Sequence, residues 1–169
     1  MEMAVKSKVE EISLRPHEFL LPLFEVVVNS IISMGGQNQK PSGFINIDID
    51  RDDKIGLFDT HLLQDKNGNI APSPISTITV TDNGVGFNDE NFVSFSTAYS
   101  EKHKDKGCKG VGRFTMLACF DNVQIKSIYN EKGKQWTRNF SFDIEKEIDP
   151  KDGAPKLLST ALARETTVS

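Results

Sequence analysis

The chain has 169 residues, 37% of them hydrophobic, which is enough for one domain with a sizeable core. Its formal charge of -4, from 20 basic and 24 acidic residues, argues against a whole-surface nucleic-acid binder, although a local basic patch is compatible with it. The two cysteines, Cys108 and Cys119, have neither metal-ligand spacing nor a paired framework, so a reduced cytoplasmic protein is expected, with both as packing residues.

The opening residues, MEMAVKSKVEEISLRP, lack the apolar stretch and small-residue cleavage pattern of a secretion signal. No run approaches membrane-spanning length, the longest near Phe19 being broken by Pro22, Glu25 and Asn29. A soluble protein with no membrane partner is expected. Residues 16–34, PHEFLLPLFEVVVNSIISM, are apolar nearly all the way round and predict a helix buried on most sides, ended by Gly35-Gly36. Its main part should begin near Leu21, because Pro22 belongs in a first turn. At about 100° per residue, Pro22, Glu25, Asn29 and Ser33 fall within roughly one quarter of the circumference. A carboxylate in such a stripe needs a polar network or a water-filled site, or a face turned to solvent.

Segments 43–50 and 54–59 alternate and predict an antiparallel pair, followed by a long polar loop over 59–74 containing KNGNIAPSP. TITVT, 77–81, alternates with β-branched residues and predicts a half-buried strand that puts Asp82 on the face of Ile78 and Val80. Taken alone, Asp82-Asn83-Gly84 reads as a hairpin turn. A short helix is expected over 89–97, a charged loop without period over 98–110, and a helix opened by glycines over 111–120. Strands are expected over 122–129, 135–144 and 166–169.

KGCKGVGRF places Gly107, Gly110 and Gly112 at the entrance of that last helix. Free N–H groups and the dipole at a helix start favour phosphate, and glycines let a ligand approach the main chain; a glycine hinge in a loop is the plainer alternative. The pattern is not a P-loop, and it lacks the context of a dinucleotide fingerprint. His17, His61 and His103 have no partners at a recognisable spacing and receive no role.

The order Glu25-x-x-x-Asn29, then Asp82-x-Gly84-x-Gly86, then Gly107-x-x-Gly110-x-Gly112 resembles the GHKL superfamily of ATPases, which includes gyrase B subunits, ninety-kilodalton heat-shock chaperones, histidine kinases and mismatch-repair ATPases. FSTAYSEKH is similar to the Ser-x-Lys stretch of the mismatch-repair and microrchidia branches, at Ser100 and Lys102. RETTVS resembles the Gly-Thr-Thr-Val strand that closes the family's site, with Thr166 in place and Glu165 where the glycine stands.

The resemblance implies an α+β, two-layer sandwich of the Bergerat type, a mixed and mostly antiparallel sheet covered on one face by helices. It implies one ATP-binding domain over 1–169, the N-terminal piece of a longer protein, that binds Mg-ATP and hydrolyses it slowly. By the same resemblance Asp82 accepts from the adenine amino group, Gly84 and Gly86 shape the turn beside the base, and Thr166 joins the acid through water. Asn29 would ligate Mg²⁺ and Glu25 would deprotonate the attacking water. Gly107, Gly110, Val111, Gly112 and Ser100 would line the phosphates, with Lys102 on the γ-phosphate. Lys104, Lys106 and Lys109 share that loop, the expected lid, as solvated charges or phosphate contacts. Homodimerisation through the N-terminal segment and a downstream domain supplying a lysine are implied partners, and direct nucleic-acid binding by this fragment is not expected. A histidine-kinase-type phosphotransfer domain and a non-catalytic nucleotide sensor are the alternatives.

Overall fold

Alternation is cleanest in the second half of the chain, and there the strands are longest. In a computed structural model, which describes residues 5–12, 14, 18–35, 43–52, 75–97, 112–145, 148, 153–159 and 165–169, β3 (Asn122–Glu131) and β4 (Lys134–Asp143) form a ten-pair antiparallel hairpin. Its turn is Lys132-Gly133, both at positive φ (50° and 70°), the left-handed backbone that a two-residue hairpin needs. Val123, Ile125, Ser127 and Tyr129 are buried on one face of β3, with Gln124 and Lys126 between them exposed on the other and Ile128 half-buried.

Four more strands complete one sheet. They are β1 (Ile45–Arg51), β2 (Ile75–Asp82), the two-residue β5 (Lys156–Leu157) and β6 (Glu165–Val168), and the spatial order is β1-β2-β6-β3-β4-β5. Every pairing among the described residues is antiparallel, so the expected mixture of directions is absent from them. The expected partner of β1, segment 54–59, lies outside the described residues, and β1 pairs along its length with β2 instead.

Helices α2 (Leu21–Met34), α3 (Asp89–Ser96) and α4 (Gly112–Leu117) pack on the inner face of the sheet. Helix α1 (Val5–Glu10) packs on α4 and adds Val9 to the core; no pattern in the sequence signals it. Pro22 sits in the first turn of α2, as expected. Gly35 ends that helix in an extended conformation with its N–H on the Ile31 carbonyl, not through a left-handed cap.

The expectation that α2 is buried on most sides is corrected. Pro22, Val26 and Ser30 face the sheet, whereas Phe24 (56% exposed), Val28 (45%), Leu21 and Ile31 lie on the outer side. The core needs only the inner stripe of the helix.

At the β4 end the inner face is aromatic. Phe140 meets Phe87, Phe92 and Phe95 edge-on, at centroid distances of 5.3, 5.0 and 5.9 Å, and Phe95 also meets Phe142. These contacts hold α3 to the sheet, and Asn88 caps α3 by accepting from the Asn91 N–H. Cys119 lies just after α4, and burial pushes its thiol up. No helix among the described residues is long and apolar enough to cross a membrane. Phe140→Ala should destabilise the fold by about 3–5 kcal/mol, because the cavity falls where three rings converge; a shift of the urea unfolding midpoint with unchanged slope would measure it.

Candidate functional site

Asp82 closes the row of Ile78 and Val80 on the inner face of β2, and only 5% of it is exposed. Three donors meet its carboxylate. Ser30 Oγ donates to Oδ2 at 2.8 Å, while Oδ1 accepts from the Gly84 N–H (2.7 Å) and from Ser33 Oγ (3.3 Å), whose single proton is shared with the Ser30 carbonyl at 2.9 Å. A carboxylate offers about four lone-pair positions. The acceptor capacity left over lies on Oδ2, and Asp82 lines a cleft of about 230 Å³.

The chain after Asp82 does not make the hairpin that its residues suggest in isolation. Val85 N–H donates to the Ser33 carbonyl at 3.1 Å, and Asn83 Oδ1 accepts from the Phe44 N–H at 3.0 Å. The segment is thereby stitched to the end of α2 and to the approach of β1, and leads into α3. Glycine is required twice here. A Cβ on Gly84 would lie 1.8 Å from Ser33 Oγ; Gly86 has φ +77°, and its Cβ would lie 2.8 Å from Ser127 Oγ and 2.9 Å from Tyr129 Cβ.

Glu25 and Asn29, one turn apart on α2, both line the cleft, as do Asp82, Gly86, Gly112 and Thr166. Gly112 opens α4 directly against Glu25, whose Oε2 would be 2.6 Å from an added Cβ. The structure thus brings together Glu25, Asn29, Asp82, Gly84, Gly86, Gly112 and Thr166. Ser100, Lys102, Gly107, Gly110 and Val111 lie outside the described residues, as do Lys104, Lys106, Lys109, Cys108 and the three histidines. No group of three His, Cys, Asp or Glu side chains among the described residues is placed to hold a metal ion. The described residues thus place a buried, acceptor-only carboxylate, a second carboxylate, an amide and a helix start around one cleft.

Sequence reasoning passed over Ser30, Ser127 and Arg138. Ser127 Oγ accepts from the Phe87 N–H at 2.9 Å and lies 3.0 Å from Thr166 Oγ1. Arg138 pairs with Asp89 and donates to the Asn88 carbonyl at 3.2 Å. Period two would have found both: Ser127 is in phase with Ile125 and Tyr129, and Arg138 with Phe140 and Phe142. Arg113, which lines the same cleft from α4 and donates to the Phe95 carbonyl, has no comparable signal.

Solved structures share this architecture. The ATPase region of Saccharomyces cerevisiae topoisomerase II bound to dexrazoxane aligns with a TM-score of 0.53 and 15% identity, over 93% of this chain and 38% of that one. The ATPase and transducer domains of DNA topoisomerase II from Balamuthia mandrillaris align with a TM-score of 0.52 and 14% identity, over 90% of this chain and 36% of that one. The chain therefore spans well under half the length of either. No family model matches the sequence, and no curated protein does.

Gly133 and Gly86 share a left-handed backbone, but nothing lies within 4 Å of a Cβ on Gly133. Gly133→Ala should cost about 1–2 kcal/mol from backbone strain alone, and Gly86→Ala about 1–3 kcal/mol more from the clash with β3. Chemical denaturation of the two variants side by side would check the difference.

Proposed function

We propose, from the GHKL (Bergerat) fold that this chain shares with the topoisomerase II ATPase regions, that it binds ATP with Mg²⁺ in the cleft between α2, α4 and the sheet and hydrolyses it to ADP and phosphate. The observation that carries this reading is the buried Asp82 carboxylate, held by three donors with acceptor capacity left on Oδ2, in the cleft wall. That remaining position suits an N–H donor such as the adenine amino group, and Thr166 completes the base end of the site.

At the other end Asn29 is the side-chain ligand for Mg²⁺, an ion that readily takes its remaining ligands from phosphate oxygens and water. Glu25, one turn away on the same helix face, orients a water and takes its proton. Gly107, Gly110, Val111 and Gly112 present main-chain N–H groups to the phosphates beside Ser100, and Lys102 offsets charge that develops on the terminal one. The loop 97–109 closes over the nucleotide as a lid, and closure is coupled to conformational change or dimerisation. This reading makes the isolated chain a slow enzyme.

Calorimetric titration of Mg-ATP should show binding to the wild-type chain, none to Asp82→Asn, and near-normal binding to Glu25→Ala without phosphate release. ADP should accumulate with no phosphorylated protein, which separates hydrolysis from kinase chemistry. Tight binding by Asp82→Asn would overturn the placement of the base.

A further inference from the structure

Among the described residues that line the cleft, two carry a carboxylate, Glu25 and Asp82, and one carries a positive charge, Arg113. A phosphate chain laid beside Glu25 brings several more negative charges to walls that already hold two. Like charges in a cleft partly shielded from water repel far more strongly than they do in bulk solvent. The position of the one cation in those walls therefore decides where such a ligand is tolerated.

The backbone fixes the root of that side chain. Gly112 opens α4 against Glu25, where an added Cβ would lie 2.6 Å from Oε2. Arg113 is the next residue, so its side chain starts at the Glu25 end of the cleft and, about 100° further round the helix, leads away from α2. It reaches α3, where Nη1 donates to the Phe95 carbonyl. Phe95 and its neighbour Ser94 line the cleft as well. The guanidinium thus ends on the α3 wall, while Glu25 and Asn29 stand on the α2 wall.

The protein itself holds the guanidinium there. It lies 4.8 Å from the centre of the Phe114 ring, which is buried in the core. Its carbonyl partner belongs to a residue locked edge-on against Phe87, Phe140 and Phe142. Phe95 is in the last turn of α3, whose carbonyls carry the negative end of the helix dipole and so favour a cation. A carbonyl neutralises none of the guanidinium's charge. The planar fork carries five N–H donors and can keep a carbonyl on one edge while it meets an oxyanion with another. A cation positioned in advance also loses little side-chain freedom when a ligand arrives.

We propose that Arg113 is a phosphate-binding residue, its guanidinium meeting the phosphate chain of a nucleoside di- or triphosphate from the α3 side of the cleft. This rests on the nucleotide reading above, in which Arg113 has no part. The two ends of the ligand are then held by different chemistry: the base by the Asp82 acceptor, the phosphates by a fixed cation. Charge at position 113 consequently affects phosphorylated ligands and leaves a bare nucleoside untouched.

The test compares adenosine with ADP, without magnesium, by ligand-detected NMR titration of the full chain, a method that reaches weak affinities. The wild type should prefer ADP. Arg113→Gln, which keeps a donor for the Phe95 carbonyl but removes the charge, should lower that preference by about tenfold or more, the scale of a hydrogen bond between charged groups, while adenosine binds as before. Arg113→Lys should retain part of the preference, since it keeps the charge without the fork. A merely structural role would weaken adenosine and ADP by the same factor. An unchanged preference in an Arg113→Gln variant that unfolds cooperatively overturns the proposal, and so does a wild type that binds the two ligands equally. Should Arg113→Gln fail to fold, Arg113→Met is read in the same way. Failure of the wild type to bind either ligand would overturn the nucleotide reading and this proposal with it, an outcome distinct from binding with an unaltered preference.

Discussion

A carboxylate buried on the inner face of a sheet is the constraint that the rest of this structure answers. Stripping Asp82 of water with nothing in exchange would cost several kcal/mol. The donors that meet it come from two turns of α2 and from the main chain two residues on. The acid therefore dictates how α2 lies across β2, and why positions 30, 33 and 84 carry small residues that either donate or let a donor approach. The same contacts stitch the segment after β2 to the helix end, which sets the direction in which the chain enters α3.

The inner face of the sheet divides its labour along the strands. Phenylalanines on β4 and α3 form a cluster that needs no partner beyond itself. Arg138 and its register partner Ser127 stand one step beyond them along the strands, while Asp82 and Thr166, paired on β2 and β6, border the cleft. Arg138 belongs to both neighbourhoods, since it stacks on Phe92 and also anchors the capped start of α3. Rigidity from the aromatic end is thus passed to the turn that flanks Asp82, through Gly86, Phe87 and Asn88.

Elements with a strong local period were legible in the sequence: the bounds of α2, α3 and the β3–β4 hairpin follow from it closely, and so does the face on which Asp82 stands. The candidate site was legible where the motif residues are described, because Glu25, Asn29, Asp82, Gly112 and Thr166 do converge on one cleft. What could not be read locally was partnership. Nothing in INIDIDR says that its partner is the strand 30 residues on and not the nearer alternating segment. Ser30 reads as a small residue tolerated on an apolar helix, since its function exists only once Asp82 lies beneath it. The outer face of α2 misled in the other direction: residues as apolar as Phe24 and Val28 signal burial whether or not the protein supplies a cover.

The position of β6 in the sheet has a consequence for how the molecule is assembled. This last strand in sequence is inserted between β2 and β3, and it joins the early half of the sheet to the hairpin half through three register pairs on one side and four on the other. Thr81 and Thr167, whose hydroxyls approach across that seam, are 86 residues apart in the chain. Pairing residues so far apart in sequence carries a loop-closure cost that a local hairpin does not, so docking β6 onto β2 costs more chain entropy than closing the β3–β4 hairpin. Displacing that four-residue strand would remove Thr166 from the cleft that it lines together with Asp82.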